Sequence, residues 1–279
     1  MLASVSAALD RCGRRLAASP RGVQYACIAS GLVAEACAFA AFAASGFLPP
    51  LGPSLSAEET ARHYREHRTG IEAGAALMLL VGMFYLAFSA AASGYMRRIP
   101  GVPYAVCAAQ FAGGVVGSVV FTMAGIILGA ANYRPDRPVE ITQALNDLFW
   151  LAMTMPWPGF ALQVVAFAYA VLIDGRPGAP FPKPLVAFNL VVAATFVPAT
   201  GAHCVYSGPL AWNGAVTFWL GLAAFACQVA ADAFFLMRAL ASETTADRPA
   251  AVDRAASSSS SGADQKMLVG KDGGCTGHA

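Results

Sequence analysis

The chain has 279 residues, of which 57% are hydrophobic and 12% are charged, with a formal net charge of +2. A soluble domain carries about 25% charged residues, so half the usual solvating surface is missing and a water-soluble globule is excluded. The small net charge, with no basic stripe interleaved with aromatics, excludes nucleic acid as a partner.

Residues 1–21 form a short segment carrying Arg11, Arg14, Arg15 and Arg21, read as a cytoplasmic N-terminal piece. Six apolar runs come next, at roughly 23–47, 71–96, 103–130, 147–173, 185–205 and 213–239. Each is long enough to cross about 30 Å of hydrocarbon at about 1.5 Å per residue. The links between them, such as FLPPLGPS, MRRIPGVP, ANYRPDRP and DGRPGAPFPKP, carry the Pro and Gly that end helices. The expected fold is an all-α polytopic bundle of six transmembrane helices, occupying residues 22–240. The first run could alternatively be a cleaved signal, since AFAAS stands near its end. Its length and the interruption at Glu35 favour a span.

Between the first two spans, Ser56 and Glu59 form a capping box that predicts a polar helix over 56–69. After Leu240 large apolar residues nearly vanish, so 241–279 is expected to be a disordered cytoplasmic tail. Thirteen of the 18 Lys and Arg residues flank the spans on the side of the termini. The other five (Arg62, Arg65, Arg68, Arg134 and Arg137) lie on the opposite side, so both termini are expected in the cytoplasm. The seven cysteines show no CxxC pair and no Cys/His spacing of a zinc site. No disulfide, metal or cofactor is implied.

The fourth run is unusual. ALNDLFWLAMTMPWPGFALQ, residues 144–163, places Asn146 and Asp147 before two prolines. Pro156 and Pro158 cannot donate backbone hydrogen bonds, and the residues before them, Met155 and Trp157, are expected to be extended. An unbroken helix from 141 to 174 would be about 50 Å long, too long for the bilayer. The helix is therefore expected to break at Pro156/Pro158 and open a cavity, because freed backbone at membrane depth must line one or be buried.

Charged groups in lipid cost about 2.5–3.5 kcal/mol and so mark functional candidates. Asp147 and Glu35, the latter near the middle of the first span, are the candidate acids. Both are expected to face the cavity, with Trp150 and Trp157 shaping it. Weaker ligand-binding candidates are Asn146, Glu72 at the start of the second span, His203 at the end of the fifth and Asp232 in the sixth, one turn after Gln228. Gly113-xxx-Gly117 and Gly125-xxx-Gly129 in the third span permit close helix contact within the bundle.

The order FLPPLGPSLSAEETARHYREHRTGI, ALNDLFWLAMTMPWPGFALQ, FPKPLVAFNL and SGPLAWNGAVTFWL resembles a bacterial-type family of six-helix integral membrane proteins. The likeness covers about 20–240 and rests most on Leu145, Asn146, Asp147 and Trp150 and on GPLAWNG, Gly208 to Gly214. The family pattern does not ordinarily carry His at position 203, and it matches neither Glu35 nor Asp232. It has no established activity, so the resemblance implies topology alone.

Three functions compete. An enzyme or binder could act on a small hydrophobic molecule such as an isoprenoid, steroid or polyketide, with Asp147 and Glu35 as general acids for isomerisation or cyclisation. A small transporter could use the broken helix and intramembrane carboxylates as a substrate or proton site. A non-catalytic assembly partner would explain the lack of any familiar catalytic motif. Membrane lipid is the expected surrounding partner, and the oligomeric state is not legible.

Overall fold

The computed structural model describes residues 2–17 and 19–243. The chain divides into two units, Met1–Met237 and Arg238–Ala279. In the second unit residues 238–243 are helical, and the tail expected beyond them lies outside the described residues.

Among the described residues there is no strand. The helices are α1 (Leu2–Ala17), α2 (Pro20–Ala44), α3 (Ala57–Glu66), α4 (Arg68–Met96), α5 (Tyr104–Tyr133), α6 (Val139–Thr154), α7 (Trp157–Ile173) and α8 (Pro184–Phe196). A 3₁₀ segment (Val197–Cys204) and a π-helical turn (Ala215–Leu220) precede α9, residues 221–243. Six stretches are long and apolar enough to cross a membrane: Pro20–Ala44, Arg68–Met96, Tyr104–Tyr133, Val139–Ile173, Pro184–Cys204 and Ala215–Glu243. This is the architecture of a multi-pass integral membrane protein.

The N-terminal segment is not a plain linker. Its helix α1 exposes Val5 and Leu9 together with Arg11, Arg14 and Arg15, the mixture of an amphipathic helix. The polar helix α3 starts where expected. Ser56 Oγ accepts from the Glu59 backbone N–H at 3.2 Å, and Glu59 Oε2 accepts from the Ser56 N–H at 2.9 Å. Those two Ser56 groups hold the exposed Glu59 carboxyl below its ordinary range. The helix ends at Glu66 rather than 69, because His67 leaves helical geometry (φ −105°, ψ 20°) and Arg68 already opens α4.

Helix α4 lies against both α2 and α5, while α5 also contacts α6 and α7. The glycines of α5 serve these internal contacts. A Cβ at Gly113 would lie 2.5 Å from the Gly159 carbonyl oxygen of α7, and one at Gly117 would lie 2.6 Å from the Tyr85 ring of α4. One at Gly125 would meet the Ala75 carbonyl oxygen at 2.8 Å, whereas Gly129 has ordinary contact only.

The fourth crossing is broken, in a different manner from the expectation. Met155 stays helical (φ −71°, ψ −27°), and its N–H donates to Leu151 O at 2.9 Å. The interruption falls at Pro156 (φ −73°, ψ 19°), and Trp157 opens α7. Pro158 is thus no second breaker. It occupies the first turn of α7, where a missing N–H deprives no carbonyl. The fifth crossing also changes character midway: α8 gives way to the 3₁₀ segment at Val197, and Pro198 cannot donate to Ala194 O.

At the other end of α7, Lys183 Nζ donates to the carbonyls of Val171, Leu172 and Asp174 at 2.8, 2.8 and 2.9 Å. Arg176 grips Asp174 through Nε at 2.8 Å and Nη2 at 2.7 Å. That hydrogen-bonded pairing holds the Asp174 carboxyl low and the Arg176 guanidinium high.

Candidate functional site

Rings dominate the α3 end of the bundle. Phe47 lies 5.2 Å from Trp150 and 5.6 Å from Phe149, centroid to centroid, and Phe42 stacks on Trp150 at 6.1 Å. Trp150 is fully buried, and its indole N–H donates to Asn146 Oδ1 at 3.2 Å. The same oxygen accepts from the Tyr64 hydroxyl at 3.3 Å, tying α3 to α6. Burial, with Asp147 nearby, pushes the Tyr64 phenol up.

A cavity of about 130 Å³ lies beside this cluster, at the break between α6 and α7. Its wall includes Trp150, Met153, Thr154 and Trp157 around the break, with Phe121, Phe160, Phe218 and Phe225 opposite. Four lining side chains carry N–H or O–H groups, and each is already bonded elsewhere. Trp150 donates to Asn146, Thr154 Oγ1 to Trp150 O at 2.9 Å, Trp157 Nε1 to Thr200 Oγ1 at 2.9 Å and Thr217 Oγ1 to Leu210 O at 2.9 Å. The cavity wall therefore offers a guest rings and methyl groups, with no side-chain donor left over.

The expected convergence of acids on this cavity is not found. Trp150 and Trp157 line it as expected, but no Asp or Glu does among the described residues. Asp147 is half-buried one turn from Trp150, with Asn146 Nδ2 3.5 Å from its Oδ1. Asn146 itself is 2% exposed and acts as the acceptor joining Tyr64 and Trp150. Glu35 lies three residues, about 4.5 Å along the axis, before the lining residue Ala38 and is not itself part of the wall. Gly31, Ala38 and Phe42 on its side of the helix are buried, whereas Phe39 is exposed.

The other candidates also stand apart. Glu72 is exposed and pairs with Arg68 at 3.3 Å, a solvated i,i+4 pair. His203 is exposed beside Cys204, with Nε2 and Sγ 3.4 Å apart. Asp232 is buried and receives the side-chain amides of Gln228 and Asn189, the latter at 3.2 Å.

A second polar layer was missed by a reading that followed charges. The Tyr85 ring touches Phe121, Phe160 and Phe225 of the cavity wall, while its hydroxyl donates to Gln163 Oε1 at 3.0 Å. Glu35 and Asp232 both lie within electrostatic reach of that hydroxyl. Gln110, bonded to Ser89 at 3.5 Å, belongs to the same α4–α5–α7 junction, since a Cβ at Gly114 would touch both Ser89 and Gln163. Acceptor oxygens of Glu35, Gln110, Asn189 and Gln228 are sealed without partners. The signal was present: four side-chain amides stand in the interior of apolar runs, where neutral polar groups also cost energy.

His63 and His67 were likewise read only as part of a solvated helix. Their rings stack 4.1 Å apart, Phe47 covers His63 at 5.3 Å, and His63 Nε2 lies 2.9 Å from Ser45 O. Burial lowers the His63 pKa; the Ser45 carbonyl opposes this, His67 adds to it and Glu66 opposes it.

No family model, curated protein or solved structure matches the chain.

Proposed function

We propose that this membrane protein binds a small, wholly hydrophobic molecule in the cavity at the α6–α7 break. The observation that carries the reading is the wall itself: rings and methyl groups, with every N–H and O–H of its side chains already committed. A guest bearing a carbonyl or another group that needs a donor would have to leave that group unpaired, at a cost of about 1–3 kcal/mol. The volume of about 130 Å³ is close to that of an apolar cavity of ~150 Å³ that takes up benzene. This favours a monocyclic or prenyl-sized hydrocarbon over a steroid or polyketide. Acid-catalysed isomerisation or cyclisation needs a carboxyl within reach of the guest, and none lines the wall, so binding is proposed without turnover. The likeness of the Asn146–Asp147 and GPLAWNG blocks to a six-helix bacterial family is consistent with this reading but lends it no ligand.

The test uses the detergent-purified full chain. Native mass spectrometry is expected to show a bound hydrophobic mass, and naphthalene fluorescence is expected to report binding and displacement. Gly221 lines the cavity, and a Cβ there meets nothing within 4 Å. Gly221→Leu should therefore fill the space without a backbone clash and abolish both signals. If neither signal is seen in the parent protein, or both persist in the variant, the cavity is not a binding site.

A second reading, a small proton-coupled transporter, is favoured by the unpartnered oxygens around Glu35, Asn189 and Gln228. Uptake into proteoliposomes driven by a pH gradient and lost in Glu35→Gln would support it. The absence of any gradient-driven uptake would remove it.

A further inference from the structure

A second cavity, of about 140 Å³, lies where α3, α4, α5 and the loop before α6 meet. Four arginines line it: Arg65, Arg68, Arg134, whose guanidinium also lies 5.9 Å over the Tyr133 ring, and Arg137. Arg68 is matched by Glu72, but Arg65, Arg134 and Arg137 have no carboxylate partner among the described residues. Asp136, between the last two, is exposed and lines no part of the cavity. The Nε of Arg137 is sealed from solvent with no acceptor at all. Like charges gathered around one space repel, and a guanidinium N–H without an acceptor is costly. An anion in the cavity would offset the repulsion.

The shape of the donor set narrows the anion. Arginine presents a planar fork suited to oxyanions, and forks arriving from three separate segments fit a tetrahedral acceptor better than a planar carboxylate. Position narrows it further. Candidate spans begin at Arg68 and Val139 and end at Tyr133, so the ends of three candidate spans border this cavity, as expected of a site at a membrane boundary. Lipid phosphates lie at that level.

We propose that this arginine-lined cavity is a phosphate-binding site, holding the phosphate of an anionic lipid headgroup or of a soluble phosphate compound. It is separate from the hydrophobic cavity and independent of what that cavity holds.

The test measures thermal unfolding of the full chain in two arms. In neutral detergent, inorganic phosphate is compared with chloride at equal ionic strength. In nanodiscs, phosphatidylcholine is compared with phosphatidylcholine containing about one-fifth phosphatidylglycerol. Stabilisation in either arm is expected. A gain confined to the nanodisc arm identifies a lipid headgroup, and a gain with inorganic phosphate identifies a soluble source. Arg65→Gln and Arg137→Gln, tested separately, should each weaken the apparent affinity by roughly tenfold or more. Arg65 is exposed, so its variant should keep the unliganded stability of the parent. No phosphate effect in either arm, or an effect that survives both variants, would overturn the proposal.

Discussion

Asn146 is a shared acceptor in the folded chain. Its place beside Asp147 suggested a ligand contact, but its oxygen serves the Tyr64 hydroxyl and the Trp150 indole. Asn146→Ala should strand both donors and cost about 2–4 kcal/mol, and Tyr64→Phe about 1 kcal/mol, in unfolding measured by denaturant titration. His63 supplies a pH dependence. The folded chain holds its imidazole below the ordinary value of 6.5, so below that value the unfolded chain binds a proton that the folded chain does not. Stability from the α3 contact is therefore complete above pH 6.5 and declines as pH falls towards the folded value. Thermal unfolding scanned from about pH 7.5 to about pH 5 should show the decline, and His63→Gln should flatten it. Side-chain cost in lipid made Glu35 and Asp232 legible from the sequence. The Asn189 amide that reaches Asp232 was not, because which amide on a neighbouring helix meets which carboxyl depends on helix rotation, and rotation is set by packing across the bundle.

At the level of elements, the break in the fourth crossing was legible because proline chemistry is local. Its shape was not. Whether a proline breaks a helix or begins one depends on where the preceding helix stops, and Met155 caps α6 in helical geometry through its bond to Leu151. Pro156→Ala should let Val139–Ile173 approach one continuous helix. Trp150 and Trp157 would then be displaced relative to each other, and naphthalene binding should fall sharply with helix content nearly unchanged by circular dichroism. The α7 terminus rests on Lys183, whose ammonium satisfies three carbonyls. Lys183→Met should remove that cap and lower stability by roughly 1–3 kcal/mol, read from the midpoint of thermal unfolding. The sequence placed Lys183 in a positively charged flank, but a cap formed from 12 residues away cannot be seen in local patterning.

For the whole molecule, composition and the spacing of Pro and Gly were enough to give six crossings and their order. Charge asymmetry leads further, to an expected orientation with both termini in the cytoplasm. Cys12 and Cys204 are both exposed, and they belong to opposite ends of that topology. In single-cysteine variants, a membrane-impermeant maleimide added to intact cells should label Cys204 at once and Cys12 only after permeabilisation; the reverse order would invert the topology. The π-helical turn at Ala215–Leu220 bears on the same architecture in another way. Its wider hydrogen-bond ring takes in an extra residue per turn, so it sets the angular phase in which α9 leaves it. Deleting the exposed Ala215 would restore α-helical pitch and rotate α9 about its axis by about 100°. Gln228 and Asp232 would swing out towards the hydrocarbon, and the lipid-facing Phe234 would turn inwards. A single surplus residue thus decides whether Asp232 faces protein or lipid.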